Sequence, residues 1–182
     1  MNVLSVGYRG YGRSEGVPSE AGLQLDARAI ANYVQNSSKI DKKRVFLIGR
    51  SLGGGVGIHL LSDLNGTIFR GAIIENTWTT MSEMADQLFP FLALIKTIKN
   101  KMLKLNWDNL AKVKKITSPI LFITGSLDSF VPTEMTRRLH NECKSSQKEL
   151  WVVLGGNHND TFMVAGEEYV TRLQSFFEKY SS

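Results

Sequence analysis

The chain has 182 residues, 42% of them hydrophobic and 21% charged, enough for one soluble globular domain with a sizeable core. No run of about 18 uninterrupted apolar residues occurs, which excludes a membrane-spanning helix, and no basic-then-apolar leader follows Met1. The net charge of +5 comes without a zinc-finger, RNP or basic-region pattern, so no nucleic-acid partner is expected, and the single cysteine, Cys143, excludes an internal disulfide and suits a reducing, intracellular setting.

Short apolar, β-rich runs alternate with helical stretches, the pattern of an α/β fold: a mostly parallel sheet with flanking helices. In chain order the predicted elements begin with a strand at Asn2–Gly7 and a helix at Ser19–Gln35, for which Ser19 is the cap and Gly22 a weak point. A strand at Arg44–Gly49 leads into a helix at Leu52–Leu64. A third strand follows at Arg70–Glu75. Between Met81 and Lys115 the alternation breaks. That stretch is longer than an ordinary connection, so a cap inserted into a single domain, 1–182, is expected there. Strand Ile120–Gly125, helix Thr133–Cys143, strand Glu149–Leu154 and helix Gly166–Tyr180 complete the order. Each strand is a near-continuous apolar run, as strands buried on both faces require.

Within the expected cap, Phe91, Leu94, Ile95, Ile98, Met102 and Leu105 recur at helical spacing, with Lys96, Lys99, Lys101 and Lys104 on the remaining surface. An amphipathic helix packing onto the domain explains this pattern. So does a short basic lid over an acyl pocket that also touches an anionic membrane surface. Trp78 and Trp107 flank the stretch, as pocket lining or as hinge packing.

The strongest chemical signal is Gly49-Arg50-Ser51-Leu52-Gly53, a G-x-S-x-G match. The apolar run Val45–Ile48 precedes it and a helix follows, the strand–turn–helix setting that lifts a serine hydroxyl above a sheet. A serine hydroxyl needs a base to remove its proton. On this fold the partners follow in the order Ser, acid, His, each after a later strand. Asp128 follows Ile120–Gly125, and His158 follows Trp151–Leu154 in Gly155-Gly156-Asn157-His158. Ser51 is therefore the expected nucleophile, His158 its base and Asp128 the acid that orients the base. Asp160 and Glu75 are reserve acids. His59 and His140 lie inside helices and are read as packing or solvated histidines, and Cys143 as a bystander thiol. One oxyanion donor is expected from the backbone N–H of Leu52. The second commonly follows a His-Gly pair, which this sequence lacks; the Gly7–Gly12 loop is the alternative source. No cofactor and no metal are expected, since no ligand cluster has zinc or calcium spacing.

Tyr8-Arg9-Gly10-Tyr11-Gly12-Arg13-Ser14-Glu15-Gly16, with Gly49–Gly54, Glu75-Asn76-Thr77 and His158-Asn159-Asp160-Thr161, resembles the bud-emergence-type α/β hydrolases. Four separated motifs in order carry the resemblance over nearly the whole chain. It implies the α/β-hydrolase fold and a serine hydrolase acting on esters or thioesters, with small-molecule or lipid-like acyl substrates. It also implies an amino-terminal membrane anchor in many relatives, which this sequence does not contain. Against the family pattern the first three strands are missing, among them the strand that the family places between Asn2–Gly7 and Arg44–Gly49. Either the chain is a fragment of a longer one or, if it folds alone, Asn2–Gly7 is expected to move across and pair directly with Arg44–Gly49. The alternative to an active enzyme is a catalytically impaired hydrolase-like fragment or scaffold without a complete oxyanion hole.

Overall fold

The computed structural model describes residues 2–64, 68–88 and 107–181. Helix α1 spans Glu20–Asn36, with the Ser19 hydroxyl accepting from the Gly22 N–H as its cap. A single 3-10 turn, Lys42–Arg44, capped by Asp41, leads to strand β1 at Phe46–Arg50. Helix α2 (Leu52–Leu64), strand β2 (Gly71–Glu75) and helix α3 (Met81–Leu88) follow. After the undescribed residues come α4 (Asn109–Val113), β3 (Ile120–Gly125), α5 (Thr133–Glu142), β4 (Lys148–Val153), α6 (Thr161–Ala165) and α7 (Glu167–Tyr180).

The four strands form one parallel sheet in the order β1-β2-β3-β4. Parallel strands need helices on both faces, and the alternation of side chains shows where these helices lie. Ala72, Ile74, Ile120 and Phe122 face one core with α1, α2 and α5; Ile73, Leu121, Ile123, Trp151 and Val153 face a second core closed by Phe176 of α7. The Lys148 ammonium donates to the carbonyls of His140, Asn141 and Cys143 at 2.9, 3.1 and 2.9 Å, neutralising the carboxyl end of α5 where β4 begins.

Four of the five expected strands are present within one or two residues of their expected limits. Asn2–Gly7 is the correction: among the described residues it pairs with no strand, and β1 pairs with β2 alone. The reason is local anchorage. Arg9 grips Asp26 of α1 with three side-chain bonds of 2.7, 3.0 and 3.2 Å and its backbone N–H, and the Ser14 hydroxyl donates to Gly7 O at 2.8 Å. These bonds hold the segment beside α1, where Leu4 and Val6 line a groove of about 640 Å³ with Ala29, Ile30 and Tyr33. Sliding across to β1 would break them. Helix α6 is an element the periodicity did not reveal.

The excursion after β2 leaves and returns through one narrow stem. Thr80 and Asp108 form an antiparallel bridge, Met81 N–H donates to Trp107 O at 3.0 Å and Asn109 N–H donates to Thr79 O at 2.8 Å. Trp78 and Trp107 are both buried in the first core, so they pack the stem. The expected cap helix through Phe91 and Leu105 lies outside the described residues.

Candidate active site

Strand β1 ends at Arg50, and Ser51 then turns with φ +51°, a left-handed conformation unfavourable for a residue with a side chain. The turn is tight enough that a Cβ on Gly49 would lie 2.4 Å from the carbonyl oxygen of Gly53. Only glycine fits there. The Ser51 N–H donates to Glu75 O of the neighbouring strand at 3.0 Å, which pins the turn to the sheet.

Asp128 lies in the loop after β3, and its Oδ1 accepts from the backbone N–H groups of Phe130 and Val131 at 2.9 and 2.7 Å. That leaves Oδ2 free to take the His158 Nδ1 at 2.8 Å, and His158 Nε2 lies 3.1 Å from Ser51 Oγ. The Asp128 side chain is fully buried and the His158 side chain is 13% exposed. The buried carboxylate fixes which ring nitrogen carries the proton, leaving Nε2 as acceptor toward the hydroxyl. Phe130 covers the imidazole with its ring centroid 5.0 Å away. Ser129, Asn157, Asn159 and Asp160 join Phe130 and His158 around an open cavity of about 430 Å³.

Leu52 is the first residue of α2, where a backbone N–H has no partner within its own helix. From the Gly7–Gly12 loop, Tyr8 brings its hydroxyl to 3.9 Å from where a Gly53 Cβ would stand. The remaining sequence candidates have other roles. Asp160 Oδ1 accepts from the Asn157 N–H at 2.6 Å and shapes the turn that presents His158. Glu75 is buried with its carboxylate taking the Tyr169 hydroxyl. Burial pushes the Glu75 carboxyl above the usual carboxylate range and, with Glu75 beside it, pushes the Tyr169 phenol well up. His59 is buried in α2, with burial holding it below the usual imidazole range, and His140 lies edge-on to Phe122 at the end of α5. Cys143 is buried and its thiol pushed up, which keeps it protonated. Among the described residues no group of three or more acidic, histidine or cysteine side chains is placed to hold a metal, and no helix is long and apolar enough to cross a membrane.

Sequence reading missed Tyr169 as the partner of Glu75, and it assigned no role to Asn76 or Thr161. Asn76 and Thr161 lie inside two of the stretches that carried the resemblance. A signal was there, but a stretch does not say what its side chains touch.

Residues 24–182 match the prolyl oligopeptidase family. The chain is 34% identical over 190 residues to alpha/beta hydrolase domain-containing protein WAV2 of Arabidopsis thaliana, covering 99% of this chain and 61% of that protein. It is 33% identical over 176 residues to protein bem46 of Schizosaccharomyces pombe, covering 97% of this chain and 57% of that one. The chain thus spans about three fifths of these relatives' length, 61% and 57%. Among solved structures, the esterase Pf2001 of Pyrococcus furiosus superposes with a TM-score of 0.77 at 22% identity, covering 96% of this chain and 69% of that one. At that identity the likeness speaks to the fold.

Proposed function

The chain belongs to the prolyl oligopeptidase family within the α/β-hydrolase superfamily, and on that footing we propose that it is a serine hydrolase, cleaving carboxylic ester or thioester bonds through Ser51, His158 and Asp128. One observation carries this reading: the unbroken hydrogen-bonded line from Ser51 Oγ through His158 to the buried Asp128 carboxylate, 3.1 and 2.8 Å. His158 Nε2 takes the hydroxyl proton as Ser51 Oγ attacks the acyl carbon, and Asp128 stabilises the imidazolium that forms. The carbonyl oxygen becomes an oxyanion beside the Leu52 N–H, and removing one such donor typically costs about 10²–10³ in rate. Collapse breaks the bond to the alkoxide or thiolate. His158 returns its proton to that leaving group, and the acyl group stays on Ser51. Water, deprotonated by the same imidazole, then releases the acid. The Tyr8 hydroxyl is our candidate for the second oxyanion donor.

Acylated small molecules, acyl lipids and acylated proteins are the substrate class we favour. Leu127 and Phe130 stand exposed in the loop that carries Asp128 and offer an apolar surface to an acyl chain. A non-catalytic scaffold is the second reading. It is favoured by the exposure of Ile48 on β1, the strand that carries the proposed nucleophile and that, among the described residues, pairs on one side only.

A fluorophosphonate probe decides between them. The wild-type chain is expected to be labelled and Ser51→Ala is expected not to be. An unlabelled wild type sinks the hydrolase reading, and labelling that persists in Ser51→Ala moves the nucleophile elsewhere. A panel of acyl esters of graded chain length then sorts the substrates.

A further inference from the structure

Strands β1 and β2 end in register, with Arg50 paired to Glu75, and the next residue of each strand departs from extended geometry in the same way. Ser51 has φ +51° and Asn76 has φ +46°, the two non-glycine residues with positive φ among those described. The two turns then diverge. Ser51 presents its hydroxyl to His158, whereas Asn76 is completely buried beneath the loops after β3 and β4.

The Asn76 carboxamide makes three side-chain hydrogen bonds there. Its Nδ2 donates to the backbone carbonyl of His158 at 3.0 Å and to the Thr161 hydroxyl at 2.9 Å, and its Oδ1 accepts from the Gly125 N–H at 3.1 Å. Its backbone N–H donates to Ile123 O at 3.0 Å. The orientation of the amide is fixed by its partners, because an N–H can only donate and a carbonyl can only accept. Thr161 completes the set by donating to Asn157 O at 2.8 Å, on the amino-terminal side of His158. Loop geometry explains why such a device is needed. His158 sits in the loop between β4 and α6, and its backbone carbonyl has only one other described donor, Arg50 at a distant 3.5 Å.

We infer that Asn76 is a positioning residue for the proposed base: a buried amide clamp that ties the His158 turn to the end of β3, so that the imidazole reaches Ser51 and Asp128 at once. This inference rests on the serine-hydrolase reading for its catalytic consequence, while the clamp itself is a statement about the His158 turn. Asparagine suits the position twice over. It is among the few residues that enter the left-handed region at low cost, and it alone in that group carries a donor and an acceptor on one rigid plane. Aspartate keeps the shape and the backbone tolerance but turns an acceptor oxygen toward the His158 carbonyl.

The test uses the whole chain and four variants: Asn76→Gly, Asn76→Asp, Thr161→Val and Thr161→Ser. Asn76→Gly retains the left-handed backbone and deletes only the amide. Imidazole NMR should give one sharp set of His158 ring resonances in wild type, and broadened or doubled ones in Asn76→Gly and Asn76→Asp. Fluorophosphonate labelling of Ser51 should slow about 10²-fold in the same two variants, the scale expected when a catalytic group is displaced by about 1 Å. Thr161→Val should slow labelling less, and Thr161→Ser should restore it. Should Asn76→Gly fail to fold, the Thr161 pair carries the decision. A folded Asn76→Gly, or in its absence a folded Thr161→Val, with wild-type resonances and wild-type labelling overturns the clamp. An unlabelled wild type would defeat the hydrolase reading instead, and the ring resonances would still decide the clamp.

Discussion

Glu75 lies directly behind the Ser51 turn, accepting the Ser51 N–H on its carbonyl and the Tyr169 hydroxyl on its side chain. Burial is the larger influence on its carboxyl and raises its pKa; the Tyr169 bond, Arg50 and His158 pull the other way. A carboxyl raised in the folded state stabilises the fold while protonated. That contribution is full below the unfolded value of about 4.3 and is lost as pH rises through the raised folded value. Glu75→Gln keeps an acceptor for Tyr169 and removes the ionisation. Thermal unfolding measured across pH should therefore show wild type losing stability relative to Glu75→Gln as pH climbs from about 4. Parallel curves would mean that Glu75 does not titrate differently in the two states. Individual side chains were unevenly legible in the sequence. Ser51, Asp128 and His158 each follow a separate apolar run, so the order of elements pointed to them, and the structure brings their side chains within hydrogen-bonding distance. The bonds of Asn76, Thr161 and Tyr169 join residues 85 and 94 positions apart, and no local pattern encodes them.

Helix α2 packs against the sheet through glycines, and its approach to the residue after Asn76 is the closest constraint on it. A Cβ on Gly54 would stand 1.9 Å from Thr77 Oγ1 and 3.0 Å from Thr77 Cβ. The Thr77 hydroxyl is engaged with Glu75 O at 2.9 Å, so it has little room to yield. Gly54→Ala is expected to lower stability by about 1–3 kcal/mol through overpacking. Urea denaturation measures it, and an unchanged midpoint would show that the β2 turn can retreat. The strands that did form were readable because a doubly covered parallel strand leaves an unbroken apolar run. Asn2–Gly7 has the same kind of run, in Val3, Leu4 and Val6, yet a strand also needs a partner's backbone, and composition carries no information about the partner. Helix α6 went unread for the opposite reason: five residues are too few to display a helical period.

At the scale of the molecule, β1 is the edge of the sheet among the described residues, with an exposed apolar side chain, Ile48 at 51%, and Leu4 and Val6 are exposed on the segment held beside α1. Unpaired backbone beside exposed apolar groups is a template for further strand pairing. The chain is expected to self-associate with increasing concentration, and Ile48→Lys to reduce that association in light scattering. Equal association of the two proteins would place the contact elsewhere. The narrow stem at Thr80 and Asp108 has a different bearing. Because the two ends of the excursion already meet, with Asp108 starting α4 by accepting the Ala111 N–H at 2.8 Å, the stem is closed at its base, and α3 is the part of the excursion seen to reach the core, through Met84. A change of length beyond α3 would leave the Thr80–Asp108 bridge in place, like a tool on a fixed handle. Such a change is expected to leave the Ser51–His158–Asp128 line of hydrogen bonds where it is.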